Sequence, residues 1–512
     1  MKIIIIAEYI INLILLILFY MHMFQLNSYF LKKQMHWTKK NISKIVTHIL
    51  LILIPTIILF LFTGKTGEII AIMLLAISCF YNFPKSKSKI PLKYTNRVKR
   101  LLCTEIIMIV LCLVFIPNNI ITLACLNIIS FIICLIANFI NYPLELLIKQ
   151  KYINEAKKIL RGMPNLTVIG VTGSYGKTSV KNFLVKTLST KYEVITTPKN
   201  YNTTMGVVKT IRENLRPVHQ IFICEMGATK LGDIKEICDI VNPTIGVITS
   251  IGPQHMQSFK TIENVIKTKF ELADAVKKNN GVMFLNYDNE YTSKQKLNTK
   301  VITYGINNKE LDYNAYNLIS SSKGLEFKIK DSILGEMTFN TKLIGRHNII
   351  NITGAIAVAN YLGVPLKNLV PKIRDIKSVD HRLQILPHGK LTIIDDSYNS
   401  NPVSSKAAID TLSEFEGVKV IVTPGLIELG RDEEKYNYEF GEYMTKYCDY
   451  IYLVGETQSK PILEGIKSKG FNMDKVFIVK TPNEAVKQIS SLNIKENITV
   501  LLENDLPDNY NL

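Results

Sequence analysis

Gly170–Ser179 reads GVTGSYGKTS, and this decapeptide decides the fold of the larger part of the chain. A β-branched apolar run, Leu166–Thr172, precedes it, and apolar Val180, Phe183, Leu184 and Leu188 recur after it at helical spacing. Strand, glycine loop and helix in that order let backbone N–H groups approach phosphate oxygens, and the helix N-terminus favours negative charge. Gly173, Ser174, Tyr175, Gly176, Lys177, Thr178 and Ser179 are therefore candidates for an ATP-phosphate cradle, with Lys177 reaching the terminal phosphates and Thr178 holding Mg²⁺. The strict spacing of such loops would place a glycine at Val171, whereas this chain has Gly170 and Gly173. A glycine-rich turn without nucleotide is the alternative.

Working outward, short β-branched runs alternate with helical stretches from Asn165 onward: Gln220–Cys224, Thr244–Ser250, Leu391–Asp395, Val418–Val422 and Tyr450–Val454. This alternation predicts an α/β, doubly wound architecture, with a P-loop central domain and a Rossmann-like C-terminal domain. Ligands in such sheets bind at the carboxyl ends of the strands.

Toward the N-terminus the pattern changes. Apolar runs at about 3–24, 47–64, 69–83, 102–116 and 119–143 predict about five membrane spans. Glu8 and Glu105 lie inside runs, where carboxylates face a bundle interior or a polar cavity. Basic residues alternate between the loops. Lys32, Lys33, Lys39, Lys40 and Lys44 fall in the first, Lys65 in the second, and Lys85, Lys87, Lys89, Lys93, Arg97, Lys99 and Arg100 in the third. None falls near Pro117–Asn119, and Lys149, Lys151, Lys157 and Lys158 follow the last run. This predicts a multi-pass cell-membrane segment, N-terminus outside, with the catalytic part in the cytoplasm. The predicted organisation is 1–150 transmembrane segment, 151–164 linker, 165–378 central ATP-binding domain and 379–512 C-terminal domain.

The net charge is +18, and residues 1–150 hold 15 Lys and Arg against 4 Glu and no Asp. Basic charge set between apolar runs points to a lipid bilayer surface, not to nucleic acid. Of the eight cysteines, five lie in apolar segments, and no spacing suits zinc.

Further motifs follow in order: KNYNTTMGV (199–207), FICEMGATKLGDI (222–234), IGRHNIINITGAIAVA (344–359) and IDDSYNSNPVS (394–404). Together with TGSYGKTS they resemble the Mur ligase family, and most of all its members that add D-alanyl-D-alanine. The resemblance, over about residues 165–505, implies an ATP-dependent amide-bond-forming ligase of peptidoglycan synthesis that works through an acyl phosphate on a UDP-MurNAc-tripeptide-like precursor. It implies Mg²⁺ ligands at Thr178, Glu225 and His255, and nucleotide contacts at Asn286, His347, Asn348, Asn351 and Asp396. Substrate contacts fall at Asn200, Asn202, Thr203, Tyr398, Asn399 and Asn401, and Arg382 neutralises phosphate charge. Lys269, which the periodicity of Thr261–Lys278 puts on an apolar helix face, matches a lysine that the family carbamylates. Read alone, Glu225 at a strand end must meet a cation, which Mg²⁺ fits, with a helix-capping or salt-bridged carboxylate as the alternative, while His255 fits an ordinary loop histidine and Lys269 a snorkelling lysine.

Three departures bear on substrate. The last apolar run ends shortly before the P-loop strand, so the membrane segment stands where the family carries a UDP-sugar domain. Gly425 in TPGLIELG stands where the family has aspartate, and LLENDLPDN (501–509) stands where a KGS-type ending is expected. A ligase for another, lipid-linked carboxylate and a nucleotide-gated membrane protein with a degenerate ligase domain are the alternative readings.

Overall fold

The structure is a computed structural model, and it describes residues 1–62, 64–83, 91–116, 119–198, 201–306, 308–331, 335–398, 400–456 and 458–505. It separates into two compact units, divided between Gln150 and Lys151.

The first unit is helical: α1 (Lys2–Leu26), α2 (Leu31–Lys40), α3 (Ile42–Leu61), α4 (Lys65–Asn82), α5 (Asn96–Phe115), α6 (Asn119–Ile128) and the start of α7 (Ser130–Arg161). Among the described residues, four helices, α1, α3, α4 and α7, are long and apolar enough to cross a membrane, where the sequence predicts five spans. The difference lies in the fourth run, whose helix α5 carries Arg97, Lys99, Arg100 and Glu105; the fifth run is broken at Ile129 into the 10-residue α6 and α7, and α7 still counts as a crossing helix. Outward apolar rings such as Phe80 and Phe139 are 77% and 79% exposed, as lipid-facing groups would be. Polar groups turn inward. Asn12 Nδ2 donates to Leu75 O at 3.3 Å, Ser78 Oγ donates to Asn12 Oδ1 at 2.9 Å, and Glu105 is fully buried. Lys85, Lys87 and Lys89 and positions 117–118 lie outside the described residues.

The second unit holds two sheets. The first has nine strands: β1 (Thr167–Thr172), β2 (Val194–Thr196), β3 (Ile221–Glu225), β4 (Ile245–Ile248), β5 (Val282–Asn286), β6 (Lys300–Ile306), β7 (Tyr313–Ser321), β8 (Gly324–Asp331) and β9 (Gly335–Thr341). Their order is β2-β3-β1-β4-β5-β6-β7-β8-β9, parallel through β7 and antiparallel beyond it. Strands β3 and β5 are buried along their whole length, as parallel strands covered on both faces must be. One face packs α8 (Lys177–Leu188) and the helix His347–Tyr361, and the other packs the helices Asp233–Val241 and Ile262–Lys278. The chain runs from β1 outward to β2 and returns through β3 to β4 on the far side of β1, so the strand order reverses beside the phosphate loop.

The second sheet comprises β10 (Gln384–His388), β11 (Leu391–Asp396), β12 (Val418–Thr423), β13 (Tyr450–Val454), β14 (Val476–Val479) and β15 (Ile498–Glu503), in the order β10-β11-β15-β12-β13-β14. All its pairings are parallel except β10 with β11. The stretch read as a linker is helical through Arg161, because Ile153 and Ala156 are buried in the same core as Val168, Val207 and Phe222.

Candidate active site

The loop after β1 is fastened to the segment after β4. Ser174 N donates to Ser250 O at 2.6 Å, Ser174 Oγ donates to Gly252 O at 3.0 Å, and Tyr175 OH donates to Pro253 O at 3.0 Å. Gly176, at φ +77°, lies against Asn351, and a Cβ there would come within 2.7 Å of its Oδ1. Lys177 turns back over the loop and donates to Gly173 O at 2.6 Å and Ser174 O at 2.9 Å. Burial pushes its ammonium down to about 8; Glu225 opposes that fall and Arg382 adds to it. Backbone carbonyls thus hold an ammonium that a phosphate would take over.

Glu225, at the carboxyl end of β3 and 2% exposed, is the hub of the site. Its Oε1 accepts from Thr178 Oγ1 at 3.2 Å and from Asn202 Nδ2 at 3.0 Å. Its Oε2 lies 3.0 Å from Lys181 Nζ yet makes no aligned hydrogen bond. The Thr178 hydroxyl facing the Glu225 carboxylate is hard-oxygen chemistry. It fits Mg²⁺, which binds through one or two carboxylates and completes its shell with phosphates and water. Among the described residues no three His, Cys, Asp or Glu side chains converge as a metal cluster.

His255 is held elsewhere. Its Nδ1 lies 2.6 Å from Glu428 Oε2 of the C-terminal domain, and both residues have left-handed backbones, φ +52° and +63°. Lys269 is 2% exposed on its helix between Val265 and Leu272. Burial, with Lys177 nearby, holds its ammonium well below the usual lysine range. Asn286 donates to Ser250 Oγ at 3.0 Å and accepts from Asp288 N at 3.0 Å. His347, lowered to about 4 by burial and by Arg382, begins a helix in which Asn348 bonds Ile344 O at 2.8 Å. Arg382 stacks over Tyr398 at 4.6 Å. Asp396 accepts from Leu383 N at 3.2 Å, and burial raises it to about 6 against the pull of Arg382.

Two expected substrate residues act here as helix caps. Thr203 Oγ1 accepts from Gly206 N at 3.3 Å, and Asn401 Oδ1 accepts from Val403 N and Ser404 N at 3.0 and 2.9 Å. Asn200 and Asn399 lie outside the described residues. The sequence reading missed Lys181, Glu428 and Glu503. Lys181 carried a signal, since it sits one helical turn past Lys177 beside apolar Val180 and Leu184.

Residues 171–359 match the Mur ligase middle domain, and residues 381–503 match the Mur ligase glutamate ligase domain. The chain belongs to the Mur ligase family of ATP-dependent ligases. It is 31% identical over 354 residues to the UDP-N-acetylmuramoyl-tripeptide--D-alanyl-D-alanine ligase of Buchnera aphidicola, covering 67% of this chain and 76% of that enzyme. It is 32% identical over 280 residues to the enzyme of the same name from Bacillus subtilis, covering 54% of this chain and 59% of that one. Among solved structures, MurF from Acinetobacter baumannii matches with TM-score 0.63 and 25% identity, covering 70% of this chain and 77% of that one. MurF from Thermotoga maritima in complex with ADP has the same fold, with TM-score 0.61 and 24% identity over 70% of this chain and 80% of that one.

Proposed function

We propose that this chain joins D-alanyl-D-alanine to a UDP-MurNAc-tripeptide-type precursor in peptidoglycan synthesis, and that its first 150 residues hold it at the cytoplasmic face of a cell membrane. The observation that carries the reading is the Thr178–Glu225 contact beneath the Lys177 loop, set at the strand-order reversal of a Mur ligase sheet. In this reading a substrate carboxylate oxygen attacks the γ-phosphorus of ATP. The bond to ADP breaks, and an acyl phosphate forms. The amine nitrogen then attacks the acyl carbon, loses a proton, and expels inorganic phosphate. Lys177 and Arg382 neutralise phosphoryl charge, which is most of what phosphoryl transfer asks of a protein. Mg²⁺ would be held by Thr178 and Glu225, with His255 joining them on release from Glu428, and would supply additional charge neutralisation.

Lys269 enters as a carbamate. Its buried amine, kept uncharged, adds to CO₂ and releases one proton, which turns a buried base into an anion on the metal side of the site. Asn286, His347, Asn348 and Asn351 lie on the nucleotide side, and Asp396, Tyr398 and Arg382 on the C-terminal side. The four apolar helices support a bilayer tether, and a lipid-linked carboxylate is the second reading they favour.

The test uses full-length protein in lipid vesicles. Phosphate release should require ATP, UDP-MurNAc-tripeptide and D-Ala-D-Ala together. Release with a lipid-linked tripeptide alone would select the second reading, and no release with either acceptor would refute both.

A further inference from the structure

The carboxyl ends of β11, β15 and β12 lie side by side in the C-terminal sheet, and the middle strand ends in Glu503. That side chain is fully buried. One carboxyl oxygen accepts from Ser400 Oγ, and the other accepts from Thr423 Oγ1 at 3.1 Å. The next residue, Asn504, donates its backbone N–H to Asp396 O at 3.3 Å and its side-chain amide to Gly425 O at 2.7 Å. Gly425 has φ +84°, and a Cβ there would lie 2.8 Å from both Asn437 Oδ1 and Gln458 Cβ. The two positions where the C-terminal motifs depart from the expected pattern, Gly425 and Glu503–Asp505, therefore meet in space and bond to each other. Between them they tie down all three loops that leave these strands.

We propose that Glu503 is a positioning residue for the amine side of the site: by its hydrogen bonds with Ser400 and Thr423 it anchors Ser400, two residues from the Tyr398 that lies against Arg382. The choice of substrate to assay rests on the ligase reading above; the positioning itself does not. Asp396 is the charged group that faces Glu503, while Ser400 and Thr423 meet it with neutral hydroxyls. Burial and Asp396 push Glu503 up to about 8, against the pull of the two hydroxyls. Glutamine keeps the shape, and because serine and threonine hydroxyls can donate or accept it can keep both contacts, which makes Glu503→Gln the conservative change and Glu503→Leu the disruptive one.

Three measurements on full-length protein in detergent or lipid test the proposal. Glu503→Leu should raise KM for D-Ala-D-Ala about tenfold while KM for ATP stays within about twofold, and Glu503→Gln should restore the wild-type KM. Without substrate, Glu503→Leu should also speed hydrogen exchange at Ser400 and Asn401. Unchanged exchange there, or an equal rise in both KM values, overturns the proposal. If the leucine variant does not fold, Ser400→Ala is read for the same KM split and exchange. If wild-type protein does not use D-Ala-D-Ala but exchange still rises, the ligase reading fails and the positioning role stands.

Discussion

Replacing Lys181 by methionine is the sharpest probe of the site's electrostatics. Lys181 Nζ lies 3.0 Å from Glu225 Oε2, and both side chains are 2% exposed. The ammonium also donates to Thr197 O at 3.0 Å. At an effective dielectric of about 20, the Coulomb attraction at that separation is about 5–6 kcal/mol. Desolvation of both groups offsets much of it, so the pair is no large net stabiliser. Breaking it from one side is different, because the remaining buried charge loses its counter-ion, at a cost of about 3–5 kcal/mol. With a Tm change of about 2–4 °C per kcal/mol for a domain of this size, Lys181→Met should melt about 6–20 °C lower. The double variant Lys181→Met, Glu225→Gln removes both charges and should recover at least half of that loss. Scanning calorimetry of the purified protein measures both shifts. A single variant within about 2 °C of wild type, or a double variant no more stable than the single, would refute the reasoning.

Lys177→Ala should lower phosphate release by about 10²–10³ with the melting temperature little changed, and wild-type turnover in it would remove Lys177 from the mechanism. In the wild type, burial holds the Lys177 ammonium near 8, so calorimetric nucleotide affinity should fall as pH rises through that value and the proton is lost; a flat affinity from pH 7 to 9 contradicts this. Lys269→Ala should lose most activity and regain part of it with added short carboxylates, whereas full activity without bicarbonate excludes the carbamate. With a cytoplasmic catalytic unit, five crossings put Lys65 outside the cell and four put it inside, so a cysteine introduced at Lys65, in a background lacking the eight native cysteines, should be labelled from outside if the basic-loop alternation sets five crossings, and labelling from the cytoplasmic side alone refutes that count.

The legible parts of this chain were those with short-range signals. Strands β1, β3 and β4 read as strands because burial on both faces makes each a continuous apolar run. Lys269 stood out because one helix period puts a lysine on an apolar stripe, and the same argument applies to Lys181 beside Val180 and Leu184. The antiparallel strands β7 to β9 were not legible. β7 alternates exposed and covered positions and is irregular between Tyr316 and Ile319, so no clean period survives. Long-range pairs gave no signal either. His255 meets Glu428, 173 residues away, and Ser400 meets Glu503, 103 residues away. Asn401 and Thr203 show the opposite hazard: asparagine and threonine in a motif serve equally as helix caps, and the sequence does not separate the two roles.

The stretch 151–161 decides where the catalytic unit begins. Tyr152, Ile153, Ala156, Ile159 and Leu160 recur at helical spacing, and Ile153 and Ala156 are 7% and 0% exposed in the core that holds Val207 and Ile211. Arg212 lies 3.9 Å over the Tyr152 ring and bonds Glu155 at 2.7 Å. The exposed ion pair adds at most about 1 kcal/mol, the cation–π contact about 0.5–1 kcal/mol, and burial of one isoleucine about 1.5–3 kcal/mol. These sum to about 2–5 kcal/mol, so a protein beginning at Asn165 should melt about 4–20 °C below one beginning at Lys151, and equal melting would show that the stretch is a passive connector. The protein beginning at Lys151 keeps the stripe, so comparing it with full-length protein in lipid isolates the membrane helices. If those helices help present the acceptor, kcat/KM on UDP-MurNAc-tripeptide plus D-Ala-D-Ala should fall when they are removed. An unchanged kcat/KM refutes that role and leaves them a tether alone.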